Sequence, residues 1–134
     1  MEISDANESD NKILTKLYYD LYPEKKIKSI KYFSGVRFDN KIFVARENNQ
    51  VVGFILATFV KYAKSSTGYI EELIVSEFHR NKGIGSALVN EAISWYRKMG
   101  VEVIFVTTDE AQGFYKKVGF KELTKNKWLY WTPK

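Results

Sequence analysis

A short glycine-containing segment between an apolar run and an amphipathic run constrains the fold of this chain more than any other feature. Residues 80–86 follow the apolar run Tyr69–Val75 and lead into a stretch with helical spacing that begins at Ile84. The first N–H groups of a helix lack partners within it, and their dipoles favour an anion such as phosphate. Arg80 and Lys82 add positive charge. The sequence therefore predicts a strand, a phosphate-binding loop and a helix, in this order.

Length and composition indicate a single folded domain. The 134 residues are enough for one domain with its own core, and we expect residues 1–134 to form it. The chain has no cysteine, which excludes disulfides, thiolate metal sites and a cysteine nucleophile. Its one histidine, His79, has no second partner for a metal, so we expect no metal site. No apolar run reaches the roughly 18 residues of a membrane span and the N-terminal segment is acidic, so we expect no membrane association and a cytoplasmic location.

The formal net charge of +5 is compatible with nucleic acid, an anionic cosubstrate or a solvated surface. The lysines are spread along the chain instead of being concentrated in one recognition helix, so we expect nucleic acid not to be the main partner. The local charge of Arg80 and Lys82 fits a phosphate-bearing small molecule better.

Strand-like and helix-like segments alternate along the chain, which predicts an α/β domain. Strand-like runs lie at residues 41–47, 51–60, 69–75 and 101–106, with a polar loop at residues 61–68. Helical spacing is present at residues 10–22, where Ser9 or Asp10 is the predicted cap, at 24–33 and 84–99, and up to residue 118 in a helix that Thr108 or Asp109 is predicted to cap. A very short strand at residues 1–4 and one or two strands within residues 120–131 complete the predicted order. Residues 51–60 are almost entirely apolar, which is typical of a strand buried on both faces.

The glycine pair alone does not decide the function. Two glycines one residue apart can simply loosen a loop before a core helix. A dinucleotide site also places a strand, G-x-G and a helix in this order. However, Leu88 occupies the position of the third glycine, and Glu102 lies at the start of a strand instead of at its end. We therefore disfavour the dinucleotide site, while the purely structural interpretation stays open.

Two sequence blocks together resemble the GNAT family of N-acetyltransferases. The first is similar to the family pattern L-x-V-x-x-x-x-R-x-x-G-x-G, with matching residues Leu73, Val75, Arg80, Gly83 and Gly85. The second, residues 111–120, is similar to the family pattern A-x-x-F-Y-x-x-x-G-F. The blocks lie at the family's spacing and span residues 69–120. The resemblance implies the GNAT fold, of the α+β kind, with a mixed, mostly antiparallel sheet of six to seven strands flanked by about four helices.

The resemblance also implies where acetyl-coenzyme A binds. In the family, the strand Tyr69–Val75 splays away from the strand Val101–Val106, and the cosubstrate enters the V-shaped gap. Its pyrophosphate would lie over backbone amides of the loop, and its pantetheine arm would run along the first strand. Many relatives carry an asparagine where this chain has Thr108, which can still donate a hydrogen bond. The expected binding residues are Leu73, Ile74, Val75, Arg80, Asn81, Lys82, Gly83, Ile84, Gly85, Ser86, Thr108 and Tyr115.

Acetylation of an amine requires a base, because a primary amine is mostly protonated at neutral pH. Glu71 and Glu72 are candidates, since a carboxylate in an apolar strand is costly without a partner or a purpose. Strand alternation places Glu71 on one face with Leu73, and Glu72 on the other with Ile70. Glu71 lies nine residues before Arg80, where polyamine acetyltransferases of the family place their proposed base. We favour Glu71, keep Glu72 as the alternative, and leave open that either is an exposed structural residue.

Tyr115 is the predicted acid. The departing thiolate needs a proton, and a phenol with a pKa near ~10 can supply it. The matching family tyrosine lies beside the sulfur, whereas Phe114 fits a core role better. The resemblance thus implies an N-acetyltransferase that moves an acetyl group from acetyl-coenzyme A to a primary amine of a small molecule or protein by direct attack. An acyl-coenzyme A sensor and a nucleic-acid-associated module remain alternatives, and a homodimer is open because dimers are common in the family.

Overall fold

The computed structural model describes residues 4–5, 7–25, 36–63, 65–108, 110–122 and 133. Within these residues the strands are β1 (Arg37–Glu47), β2 (Gln50–Tyr62), β3 (Ser65–Val75) and β4 (Val103–Val106). The α-helices are α1 (Asn11–Leu21), α2 (Ile84–Lys98) and α3 (Gln112–Val118). None of these helices combines the length and the apolar character needed to cross a membrane.

The described elements follow the predicted order. Three predicted elements lie mostly outside the described residues: the first strand at residues 1–4, the helix at 24–33 and the closing strands at 120–131. The start of α1 differs from the prediction that Ser9 or Asp10 caps it. Asn7 instead caps a short 3-10 turn before α1, because its side chain accepts from the Ser9 N–H while Asp10 accepts from the Asn7 N–H.

The four strands form one mixed sheet in the order β1-β2-β3-β4. β2 pairs antiparallel with β1 and with β3, and β4 joins β3 in parallel. The β2–β3 ladder continues to Tyr62 opposite Ser65, so residues 61–62 and 65–68, which the sequence predicts as a loop, belong to strands. The prediction is wrong there because cross-strand pairing outweighs the polar composition.

The core lies between α2 and one face of the sheet. Ile55, Ala57 and Phe59 of β2 are fully buried there, and they alternate with partly exposed neighbours. From α2 the buried residues are Leu88, Val89, Ala92, Trp95 and Tyr96. The alternation corrects the prediction that residues 51–60 are buried on both faces: within the described residues, α2 is the helix that packs closely on this strand, and it covers one face.

Candidate active site

The strands β3 and β4 separate after a short paired region. Their register runs from Thr67 opposite Val103 to Ile70 opposite Val106, where β4 ends. β3 continues to Val75, so the backbone of residues 71–75 has no strand partner on that side within the described part of the chain. The opening lies where the V-shaped gap is predicted. Backbone N–H and C=O groups of β3 that face this opening can hydrogen bond to an extended ligand in the way that an added strand would.

A cavity of about 210 Å³ lies where the two strands separate. It is lined by Ile70, Glu71, Glu72, Leu73, Val106, Thr107, Thr108, Ala111 and Tyr115. Both candidate bases, the candidate acid and Thr108 therefore meet in one space, although they come from three separate segments of the sequence.

A β-bulge places the two glutamates at the cavity. Leu56 of β2 lies opposite Glu72, and the next residue, Ala57, lies opposite Ile70, so Glu71 is an extra residue in β3. Ile70 and Leu73 therefore both pack against the core although they are three residues apart. The assignment by simple alternation, which pairs Glu71 with Leu73 and Glu72 with Ile70, is wrong because the bulge shifts the two-residue period.

The Glu71 carboxylate is exposed and held by a neutral donor. Its Oε1 accepts a hydrogen bond of 3.0 Å from the Thr58 hydroxyl on β2. Within the described residues, no cation lies at ion-pair distance from Glu71 or Glu72. An exposed carboxylate that is oriented but not neutralised can accept a proton from a ligand in the cavity.

Tyr115 is buried on α3 and lines the cavity. Its ring packs edge-on against Phe114 at 5.0 Å and against Phe120 at 5.4 Å between centroids. Burial raises the pKa of Tyr115 above its ordinary value of 10.0, so the phenol stays protonated at neutral pH. The arrangement suits a proton donor.

Thr108 contributes to the turn that precedes α3. Its hydroxyl oxygen accepts a hydrogen bond of 3.0 Å from the Ala111 N–H. The helix itself begins at Gln112, later than the predicted start at Thr108 or Asp109, and Asp109 lies outside the described residues. Since the hydroxyl oxygen acts as an acceptor in this turn, its hydrogen can be directed to a ligand in the cavity.

The glycine-containing loop presents backbone N–H groups at the start of α2. Gly83 has a φ of +82° with no atom near a hypothetical Cβ, so its conformation, not a lack of space, favours glycine. The first backbone hydrogen bond of the helix runs from Ala87 N to the Gly83 oxygen at 3.0 Å. The N–H groups of residues 84–86 therefore precede the helical ladder and are available to an anion.

Arg80 and Gly85 connect this loop to the rest of the site. The Arg80 Nε donates to the Val75 carbonyl at 3.2 Å, which ties the loop to the end of β3. A Cβ at Gly85 would lie 3.3 Å from the Phe114 ring on α3. Gly85 therefore has a structural role, because the absence of a side chain there allows α2 and α3 to pack closely. This agrees in part with the interpretation that the two glycines serve the loop and the packing and not a ligand. Arg80, Asn81 and Lys82 are exposed.

The remaining predicted binding residues lie along the open side of β3. Leu73 lines the cavity and packs against the core, Ile74 is about half exposed, and Val75 ends the strand. His79 lies in the loop region, and its Nε2 is 3.4 Å from a Glu47 carboxylate oxygen. In the described part of the chain, no group of three potential metal ligands is present.

Two residues next to the bulge have roles that were not predicted from the sequence. Thr58 contacts Glu71, and Tyr96 donates from α2 to the Tyr69 carbonyl at 2.7 Å. The position of Tyr96, four residues after Ala92 on the helical face that is buried, could have indicated a core tyrosine whose hydroxyl needs a partner.

Comparison with known proteins identifies relatives of this chain. Residues 8–120 match the acetyltransferase (GNAT) family. An uncharacterised N-acetyltransferase of Methanocaldococcus jannaschii is 32% identical over 114 residues, which cover 78% of this chain and 50% of that protein. An uncharacterised N-acetyltransferase of Chlorobaculum tepidum is 41% identical over 85 residues, which cover 62% of this chain and 51% of that protein. The chain thus spans about half the length of these relatives.

Solved structures share the fold. A predicted acetyltransferase from Clostridium acetobutylicum, crystallised with acetyl-CoA, has a TM-score of 0.62 at 18% identity, over 95% of this chain and 92% of that chain. The family match extends over most of this chain and includes the loop at residues 80–86 and all of α3. The resemblance found in the sequence is therefore confirmed, and the chain belongs to the GNAT family of acetyltransferases.

Proposed function

We propose that this chain transfers an acetyl group from acetyl-coenzyme A to a primary amine of a small molecule or protein. The observation that carries the proposal is the cavity between β3 and α3, where Glu71 and Tyr115 meet beside the free edge of β3. An acceptor for the amine proton and a donor for the leaving sulfur thereby lie in one space. A cytoplasmic location and a homodimeric assembly stay predictions.

The described residues fit acetyl-coenzyme A as cosubstrate. The N–H groups of residues 84–86, with Arg80 and Lys82 nearby, offer positive potential for a pyrophosphate. Beyond the end of β4, the side of β3 that faces away from β2 offers backbone hydrogen bonds to the amide groups of a pantetheine arm, although the Val75 carbonyl already accepts from Arg80. The Thr108 hydroxyl adds a donor at the cavity. When bound, the thioester supplies an acetyl group that an amine can attack without a prior covalent step.

The proposed reaction includes two proton transfers. Glu71 accepts the proton that the amine loses as its nitrogen bonds to the acetyl carbon, and Glu72 is the alternative acceptor. The carbon–sulfur bond breaks, and Tyr115 donates a proton to the departing sulfur. A backbone N–H on the free edge of β3 stabilises the negative charge that develops on the acetyl oxygen.

The test is release of coenzyme A thiol from acetyl-coenzyme A in the presence of a panel of primary amines. We expect turnover with at least one amine, and a fall in kcat of about 10²- to 10⁴-fold in Glu71→Gln. Glu72→Gln is the matched control, one residue away in the same bulge and expected to stay near wild type. Binding of acetyl-coenzyme A without thiol release for any amine would indicate a sensor instead. Loss of activity in Glu72→Gln alone would transfer the role to Glu72.

A further inference from the structure

The β-bulge in β3 interrupts the ladder beside the candidate base, so the position of Glu71 depends on other contacts. In a regular antiparallel pair, backbone hydrogen bonds determine where each side chain lies. At a bulge, the extra residue is left out of this pairing. Glu71 is the extra residue here, between Ile70 opposite Ala57 and Glu72 opposite Leu56.

Tyr96 reaches the backbone of the bulged segment from α2. The side chain is completely buried, and its hydroxyl donates a hydrogen bond of 2.7 Å to the Tyr69 carbonyl, two residues before Glu71. The ring passes directly over Gly68, where an added Cβ would lie 2.6 Å from the Tyr96 Cε1 atom. The absence of a side chain at Gly68 therefore lets the ring reach this carbonyl.

The Tyr96 hydroxyl stays protonated at neutral pH and so remains a hydrogen-bond donor. Burial raises the pKa of Tyr96 well above its ordinary value, and the nearby negative charge of Glu71 raises it further. The phenol therefore stays neutral, and its hydrogen stays on the Tyr69 carbonyl.

Thr58 and Tyr96 donate hydrogen bonds to different acceptors at the bulge. Its hydroxyl oxygen lies 3.0 Å from the Glu71 Oε1 and 3.5 Å from the Tyr69 carbonyl oxygen. A hydroxyl has one hydrogen to donate, and the shorter distance assigns it to the carboxylate. Because Tyr96 already supplies the Tyr69 carbonyl with a donor, Thr58 is free to bind Glu71.

We propose that Thr58 and Tyr96 are positioning residues for the base, Tyr96 by holding the bulged backbone and Thr58 by orienting the Glu71 carboxylate. This inference rests on the proposed function, since it takes Glu71 as the group that accepts the amine proton. Neither residue touches the reacting atoms.

The first test is Thr58→Val, which keeps the shape of the side chain and removes the donor. We expect kcat to fall about three- to tenfold, with an unchanged KM for acetyl-coenzyme A. The loss follows from the missing hydrogen bond to the carboxylate and not from the shape of the side chain. Thr58→Ser retains a hydroxyl and should therefore restore the rate.

The second test is Tyr96→Phe, which keeps the ring and removes the hydroxyl. We expect a similar fall in kcat with unchanged affinity for acetyl-coenzyme A. Val89→Ala is the matched control, because Val89 is also buried on α2 but its apolar side chain cannot hydrogen bond to the bulge. It should lower stability while kcat stays near the wild-type value.

The outcomes separate this inference from the proposed function. Absence of amine-dependent thiol release in the wild-type protein would refute the proposed function itself, and wild-type activity in Glu71→Gln would remove Glu71 as the base and with it the premise of this inference. With an inactive Glu71→Gln, wild-type kcat in both Thr58→Val and Tyr96→Phe would overturn the positioning role alone. Should Tyr96→Phe fail to fold, the partly exposed Thr58 still provides the decisive measurement, because Thr58→Val removes the donor and Thr58→Ser restores it.

Discussion

The buried hydroxyl of Tyr96 predicts a specific loss of stability at alkaline pH. In the unfolded chain a tyrosine ionises around its ordinary pKa of 10.0, whereas burial keeps the phenol of folded Tyr96 protonated to higher pH. Above pH 10 the unfolded state therefore binds fewer protons than the folded state, and the free energy of unfolding decreases as pH rises. The stabilisation is complete below pH 10 and is lost as pH approaches the raised pKa of the folded protein. At pH 11 the loss is on the order of 1 kcal/mol for this one group.

Urea unfolding of wild type and Tyr96→Phe at pH 8 and pH 11 measures this loss. Phenylalanine has no phenol to ionise, so the stability advantage of wild type over the variant should shrink by roughly 1 kcal/mol between the two pH values. Val89→Ala, which changes a buried side chain of α2 that cannot ionise, is the matched control, and its loss of stability should be the same at both pH values. An advantage that stays constant from pH 8 to pH 11 would refute the assignment of Tyr96 as a buried, protonated donor.

Three further predictions concern the loop and the acid. Gly83→Ala places a side chain at a φ of +82° in open space, so we expect about 1 kcal/mol of strain and weaker binding of acetyl-coenzyme A by calorimetry. Unchanged affinity would contradict a role for this loop geometry. Gly85→Ala brings a Cβ within 3.3 Å of Phe114, so thermal unfolding should occur a few degrees lower, and Phe114→Leu in the same chain should relieve the effect. Tyr115→Phe should lower kcat far more than affinity for acetyl-coenzyme A, and equal turnover would remove Tyr115 from the mechanism.

The sequence predicted the parts of the site that depend on local chemistry. A helix that begins after Gly83 follows from backbone conformation and from the spacing of apolar residues over several turns, and both are local properties. The second block placed Tyr115 on a short helix that ends at Gly119 for the same reason. These elements therefore have nearly the predicted positions.

The bulge and its supports could not be predicted because they depend on pairing between distant segments. A two-residue period assigns faces correctly only while the ladder is regular, and one extra residue leaves no mark in the composition. Likewise, the need for glycine at position 68 becomes visible only when the Tyr96 ring, 28 residues later, lies against it. The length of β2 and β3 beyond the predicted ends has the same origin in cross-strand pairing.

The bulge links the packing of the core to the position of the two glutamates at the cavity. A bulge interrupts the regular pairing of two strands. A buried carbonyl that is left without a donor lowers the free energy of unfolding by about 1–3 kcal/mol. Here the Tyr96 hydroxyl supplies that donor from the core side, so the irregular backbone is compatible with a stable sheet. The same irregularity keeps Ile70 and Leu73 in the core while Glu71 and Glu72 reach the cavity. A regular strand would send alternate residues to opposite faces and could not bring two consecutive carboxylates to one cavity without moving an apolar side chain out of the core. The contact of Tyr96 with β3 is therefore a condition for the site, and substitutions at Tyr96 or at Gly68, over which its ring lies, should change the rate as well as the stability.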